Sequence, residues 1–153
     1  MNKLRLAMIG LGSRGRGLLK TAYLEHPLAQ FTAICDKYED RCKECADIVE
    51  QAGFPRPKTT TNYKEILEME DVDAVILCTS WDKHIDICIE AMHKGKAVGC
   101  EVGGAYSLRE CWKIVEAYEE TKVPVMLLEN CVYGRDEMLV SHMRDLGLLG
   151  RIV

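Results

Sequence analysis

Six short strand-like runs recur along the chain, Leu4 to Ile9, Phe31 to Cys35, Lys58 to Thr60, Ala74 to Cys78, Ala97 to Cys100 and Val125 to Leu128, and a helix-compatible stretch follows each. Strands separated by helices cannot pair through tight hairpins; each crossover helix carries the chain back to the same end of the sheet and makes a parallel pair. Central runs such as Val75-Ile76-Leu77 are apolar without alternation, as expected of strands covered on both faces. The pattern predicts an α/β fold: a doubly wound, mostly parallel sheet in a three-layer αβα arrangement, with six strands matching two mononucleotide-binding halves.

Several boundaries are written in local chemistry. Asn62-x-x-Glu65 and Ser107-x-x-Glu110 read as capping boxes. Gly95 is placed to stop the helix that carries Ile85, Cys88, Ile89 and Met92 on one face, and that stripe reads as core. Trp112 falls with Leu108, Cys111 and Val115 on a second apolar stripe and is expected in the core as well. Pro55 and Pro57 break the chain before the third strand, and no linker, repeat or low-complexity tract divides it.

The 153 residues suffice for one sizeable core, and the net charge of -4 comes from interspersed acidic and basic residues. No electrostatic footprint for nucleic acid or an anionic membrane appears, so a small-molecule partner is expected. Without a signal-type apolar region or a stretch of membrane-spanning length, the expected location is cytoplasmic. Most of the eight cysteines lie in apolar runs and read as reduced core residues. Cys42 and Cys45 form a C-x-x-C, but no second pair stands at zinc-ribbon spacing and no His pair accompanies it, so no metal is expected.

The chemistry-bearing motif is Gly10-Leu11-Gly12-Ser13-Arg14-Gly15, directly after the first strand and directly before a helix with Leu18, Leu19 and Ala22. A G-x-G-x-x-G in that context permits a tight turn at Gly10, backbone approach to a pyrophosphate at Gly12, and close helix-strand packing at Gly15. The pyrophosphate would rest on the helix start, over the Ser13 and Arg14 backbone, where unpaired N–H groups favour negative charge. Asp36 ends the second strand about 20 residues further on, where a carboxylate accepts hydrogen bonds from the adenosine ribose hydroxyls and repels a 2'-phosphate. The expected cofactor is therefore NAD, with NADP disfavoured; Lys37 beside the carboxylate reads first as a solvated surface charge and, as the alternative, as a cation that softens that discrimination. An S-adenosylmethionine-dependent methyltransferase would use the same turn and acid, but Cys78-Thr79-Ser80-Trp81-Asp82 lacks the Asn/Asp-Pro-Pro expected there.

Val75-Ile76-Leu77-Cys78-Thr79-Ser80-Trp81-x-x-His84, followed by Gly95-Lys96-Ala97-Val98-Gly99-Cys100-Glu101, resembles the T-P-x-x-x-H and A-G-K-x-V-x-x-E-K-P blocks of the Gfo/Idh/MocA oxidoreductases. The resemblance covers the whole chain as that family's amino-terminal Rossmann domain. It implies that Thr79, Trp81 and His84 border the cofactor and that Glu101 helps hold the nicotinamide ribose. The chain departs from the family in reading Glu101-Val102-Gly103-Gly104, so the lysine of many family dehydrogenases' proton relay is replaced by a side chain that cannot carry a proton.

Glu129-Asn130-Cys131-Val132-Tyr133-Gly134-Arg135-Asp136-Glu137-Met138 is similar to the E-N-x-x-Y-G-R-x-E-x-M segment of the family's NAD-dependent glycosidase branch, typified by α-N-acetylgalactosaminidases. That branch implies a carbohydrate substrate and a hydride shuttle without net redox: the sugar C3 hydroxyl is oxidised by bound NAD, the C2 proton is lost, the glycosidic bond leaves by elimination, water adds, and the hydride returns. Asn130 and Glu129 then either shape the nicotinamide pocket or form a strand-end turn with Asn130 in a left-handed conformation. Tyr133 and Arg135 face substrate or simply begin a surface helix.

Gly147 and Gly150 lead from the last helix into Arg151-Ile152-Val153, which reads as a strand beginning. The expectation is that residues 1–153 form one dinucleotide-binding domain whose carboxy-terminal substrate domain lies outside this chain, leaving it without turnover by itself, exposing apolar surface and favouring a homo-oligomer. A non-catalytic dinucleotide sensor or adaptor is the alternative reading.

Overall fold

Residues 3–151 are described in the computed structural model, and they form six strands and six helices in strict alternation. The strands are β1 (Leu4–Ile9), β2 (Ala29–Cys35), β3 (Lys58–Thr60), β4 (Ala74–Leu77), β5 (Ala97–Glu101) and β6 (Val125–Leu128). The helices are α1 (Ser13–Leu18, continued by a π-helical turn over Leu19–Tyr23), α2 (Glu39–Gln51), α3 (Tyr63–Leu67), α4 (Trp81–His93), α5 (Leu108–Thr121) and α6 (Arg135–Asp145). All five strand pairings are parallel, in the order β3-β2-β1-β4-β5-β6. Strand order therefore reverses between β1 and β4, the switch point at whose carboxyl ends sheets of this kind leave a crevice.

Alternation along β1 shows why both faces are covered. Leu6 and Met8 join one core with Leu19 of the π-helical turn and Cys42, Cys45 and Val49 of α2. Ala7 and Ile9 point the other way, into a core with Ile66 of α3, Cys88 and Met92 of α4 and Ala117 of α5. Two buried layers on one sheet make the three-layer arrangement. No helix among the described residues is long and apolar enough to cross a membrane.

The Ser107 capping box is present in full: its hydroxyl accepts from Glu110 N, and the Glu110 carboxylate accepts from Ser107 N. Gly95, at φ +71°, ends α4 with paired closing bonds, Gly95 N to Met92 O and Lys96 N to Ala91 O, both 2.9 Å.

The Asn62 box does not form. Asn62 caps α3 through Lys64 N, while the Glu65 carboxylate accepts instead from Thr60 Oγ1 at 2.8 Å, because the β3 end brings that hydroxyl into reach. The second stripe of α5 is also not core: Trp112 is 59% exposed, and Leu108, Cys111 and Val115 are exposed with it. Ile114 and Ala117 are the residues of α5 that meet the core.

Cys35, Cys42, Cys45, Cys88 and Cys100 are buried, whereas Cys111 and Cys131 are exposed. Arg151 has no regular structure, and the expected strand over Arg151-Ile152-Val153 falls at its last two positions outside the described residues.

Candidate functional site

The glycine turn is pinned from both sides. Gly10 N donates to Cys35 O at the end of β2, and Cys78 N donates to Ile9 O, both at 2.8 Å. Gly10 has φ +98°, and a Cβ there would lie 2.5 Å from the Cys78 carbonyl carbon. At Gly15 a Cβ would run into Gly10 O, so two of the glycines exist to let α1 sit on β1 and β4. Gly12 is different: a Cβ there would meet only an Arg41 nitrogen, at 4.0 Å, so the backbone face stays open beside the exposed Ser13 and Arg14. An open backbone at a helix start, with no acidic residue in its first turn, fits a pyrophosphate.

On the β2 side, Asp36 is only 7% exposed, and each oxygen of its carboxylate accepts one backbone N–H. Oδ2 accepts from Leu11 N at 2.7 Å and Oδ1 from Tyr38 N at 3.0 Å. The Cys42 thiol accepts from Asp36 N at 3.2 Å, so half of the C-x-x-C serves to hold this acid in place. Cys45 faces the core from the next turn of α2.

On the β5 side, Glu101 ends its strand with its side chain 11% exposed. Oε1 accepts from Arg14 Nε at 3.0 Å and pairs with the other guanidinium branch at 2.8 Å, while Oε2 accepts from Val102 N. The hydrogen bond to Glu101 raises the Arg14 pKa further, so the guanidinium stays charged. Burial pushes the Cys78 thiol up to about 12, with Glu101 adding to the effect, and burial likewise pushes Tyr23 to about 12. Both neighbours are neutral near pH 7, leaving the pair as an isolated ionic link from the glycine turn across the end of β4.

Thr79 and Ser80 form the loop over the crevice, and Trp81 begins α4. Gly103, at φ +105°, lies under the Trp81 ring, which a Cβ there would overlap. The Gly that follows Val102 thus has a physical purpose: it lets the indole close against the end of β5.

His84, which the resemblance places at the border of the cofactor, is 1% exposed and lies beneath the Thr79–Ser80 loop. Its Nε2 is 3.1 Å from Thr79 O, so it acts on the loop rather than on a ligand directly. The Cys100 thiol donates to Glu101 O at 3.4 Å; its neighbours Cys88 and His84 draw its pKa down, and Cys100 in turn raises the His84 pKa.

Asn130 is exposed beyond β6, and its backbone is not left-handed; among the described residues only Lys122 is a non-glycine with positive φ. The turn is closed by Glu129 Oε1 accepting from Cys131 N at 2.9 Å, which removes the need for an unusual backbone at Asn130. Tyr133 is exposed, and Arg135 begins α6. The glycine turn, Asp36, Thr79, Trp81 and Glu101 thus converge on the crevice, while His84 supports it from below and Asn130 stands on an exposed turn at the end of β6. Sequence reasoning missed the Arg14–Glu101 pair, the Gly103 seat and Arg41; only Gly103 leaves a trace, as a glycine where the family blocks carry a larger residue.

A separate groove of about 630 Å³ runs between α4 and α5, lined by charges of both signs including Lys83, Asp86, Lys113 and Glu116. It shares no residue with the crevice.

A family profile described as an oxidoreductase family with an NAD-binding Rossmann fold matches residues 4–128. The chain belongs to the Gfo/Idh/MocA oxidoreductase family. As its nicotinamide-dinucleotide-binding domain, the chain is 40% identical to a glycosyl hydrolase family 109 protein of Stenotrophomonas maltophilia over 99% of its own length and 34% of the relative's. It is 36% identical to an α-N-acetylgalactosaminidase of Bacteroides fragilis, over 97% of this chain and 35% of that protein. The chain therefore spans about a third of these Gfo/Idh/MocA relatives. In three dimensions it superposes on the WlbA dehydrogenase of Chromobacterium violaceum, solved with NADH and UDP-GlcNAcA, with a TM-score of 0.88 at 22% identity, covering 99% of this chain and 42% of that one. At that identity the likeness speaks for the fold.

Proposed function

We propose that this domain holds NAD across the β1/β4 switch point and serves a longer enzyme that acts on a carbohydrate by the redox-neutral glycoside cleavage of its family 109 relatives. The observation that carries the reading is the open Gly12 face set between a fixed carboxylate on each side, Asp36 toward the adenosine end and Glu101 toward the nicotinamide end. When bound, the nicotinamide supplies a hydride acceptor that later gives the hydride back.

The chain's own residues bind and orient. Gly12, Ser13 and Arg14 present backbone N–H groups to the pyrophosphate. Asp36, held by Leu11 N and Tyr38 N, keeps lone pairs for the ribose hydroxyls and favours NAD over NADP. Glu101 receives the nicotinamide ribose, Thr79 and Trp81 border the ring, His84 holds the Thr79 carbonyl, and Asn130 lines the far end of the pocket.

Val102 is exposed and carries no proton, so a proton relay through that position is not part of the mechanism. Proton transfer to substrate belongs to groups of the carboxy-terminal substrate domain that we place outside residues 1–153. Glu101, Glu129 and Asp136 do not serve as a paired-carboxylate glycosidase centre; Glu101 is ion-paired with Arg14 beside the ribose position, and Glu129 closes a turn.

Calorimetric titration tests the reading. NAD is expected to bind and S-adenosylmethionine not to, and Asp36→Ala should weaken NAD by about tenfold or more, the value of a charge-assisted hydrogen bond. Preferential binding of S-adenosylmethionine, or of nothing, would contradict it.

A further inference from the structure

Helix α5 presents an outward face that the core and the crevice leave without a purpose. Leu108, Trp112 and Val115 are exposed along it, while Ile114 and Ala117 meet the core on the other side. Beside that stripe runs a second row, Arg109, Lys113, Glu116 and Glu120, spaced i, i+4, i+7, i+11 and therefore aligned along one side of the helix. All four are exposed, and no salt bridge among the described residues uses any of them. Leu108, Arg109, Trp112, Lys113 and Glu116 line one shared depression, so the indole sits between the apolar stripe and the charged row.

The sign pattern of this row works against an isolated helix. Its cations lie in the amino-terminal half and its anions in the carboxy-terminal half, the reverse of what the helix dipole favours. Arg109 with Lys113, and Glu116 with Glu120, are also like charges four residues apart, which repel. Taken in the opposite direction, the row is its own complement. Two such helices laid antiparallel about a twofold axis bring the same side of each together. Arg109 then stands opposite Glu120 of the other copy, and Lys113 opposite its Glu116. Both pairs are symmetric about the middle of Leu108–Thr121, so they form in one register. In that register Trp112 of each copy falls against Val115 of the other, which is likewise exposed.

We propose that α5 is a self-association surface, pairing antiparallel with α5 of a second copy of this chain through Trp112 and the Arg109, Lys113, Glu116, Glu120 row. The row selects a second copy as its occupant, because a partner of a single sign would meet like charge along half of it. One helix from each copy makes a small, partly ionic contact, so the association is reversible and salt-sensitive. This surface does not depend on the dinucleotide reading.

Sedimentation equilibrium of the 153-residue chain over a range of concentrations tests the proposal. The expected result is a monomer–dimer equilibrium with a dissociation constant of about 10–100 μM, weakened by added salt. Trp112→Ala, Lys113→Glu and Glu116→Lys should each weaken the dimer by about tenfold or more, with far-UV circular dichroism unchanged. An equimolar mixture of Lys113→Glu and Glu116→Lys should recover it to within about threefold of the unaltered chain, since each copy then offers the charge the other lacks. A chain that stays monomeric at about 1 mM would overturn the inference, α5 then being bare or covered by another part of a longer protein. A dimer left intact by Trp112→Ala and Lys113→Glu would also overturn it, by placing association on other exposed apolar residues such as Met126 and Met138. Losses in the single variants that mixing fails to recover would do the same.

Discussion

Gly10 is the residue at which the turn leaves least freedom. Its φ of +98° is unfavourable for any side chain, and a Cβ would press on the Cys78 carbonyl and on Thr79 N at 2.5 and 2.7 Å, both rigid backbone. Gly10→Ala is expected to cost about 2–4 kcal/mol in denaturant unfolding. Gly12→Ala, with open space around it, should cost less than about 1 kcal/mol in the same measurement, its damage appearing in cofactor affinity instead. Both glycines were legible from spacing alone, because a strand, a G-x-G-x-x-G and a helix leave few alternatives. The bonds of Asp36 were not: which N–H groups fill a carboxylate depends on how β1 and β2 align, and Leu11 is 25 residues away. His84 shows the same limit, since a motif gives its position in the sequence but not its burial under the Thr79 carbonyl.

At the scale of elements, the six strands, their parallel pairing and most of their bounds followed from the alternation of runs, whereas the order of the strands in the sheet came with the structure. The departures are small and physical: β2 begins at Ala29, ahead of the apolar Phe31, because Leu4 and Ala29 pair at the start of the ladder. Helix α5 was misread because it has two apolar stripes, and periodicity cannot tell which one faces the sheet. The Ile114 and Ala117 stripe does, and Leu108, Trp112 and Val115 face outward. Trp112→Ala should therefore change the stability of this chain by less than about 1 kcal/mol. Met92→Ala, on the core-facing side of α4 and 1% exposed, should cost about 2–5 kcal/mol. Equal losses in urea unfolding would contradict the assigned faces.

For the whole molecule, the sheet is tied together at the end away from the crevice by Arg5 and Asp73, which join the start of β1 to the turn before β4. Asp73 accepts from Arg5 N at 2.9 Å and from the guanidinium at 2.6 and 3.0 Å. Those hydrogen bonds hold the Asp73 pKa at about 2, below its ordinary 3.8. A lowered carboxyl pKa means that the folded state binds the proton less readily than the unfolded one. The stabilisation is complete above about pH 4 and is lost as pH falls toward 2. Asp73→Asn should therefore be less stable than the unaltered chain at pH 7 and converge with it near pH 2, as followed by thermal unfolding. A constant difference across that range would contradict the role assigned to this pair.

The central claim, that a nicotinamide dinucleotide lies across the β1/β4 switch point, is tested most directly by amide hydrogen exchange with and without NAD. The account predicts slowed exchange at Leu11 to Arg14, at Ser80 and Trp81, and at Val102 and Gly103, with little change in the groove between α4 and α5. Protection confined to that groove, or spread evenly over the chain, would contradict it.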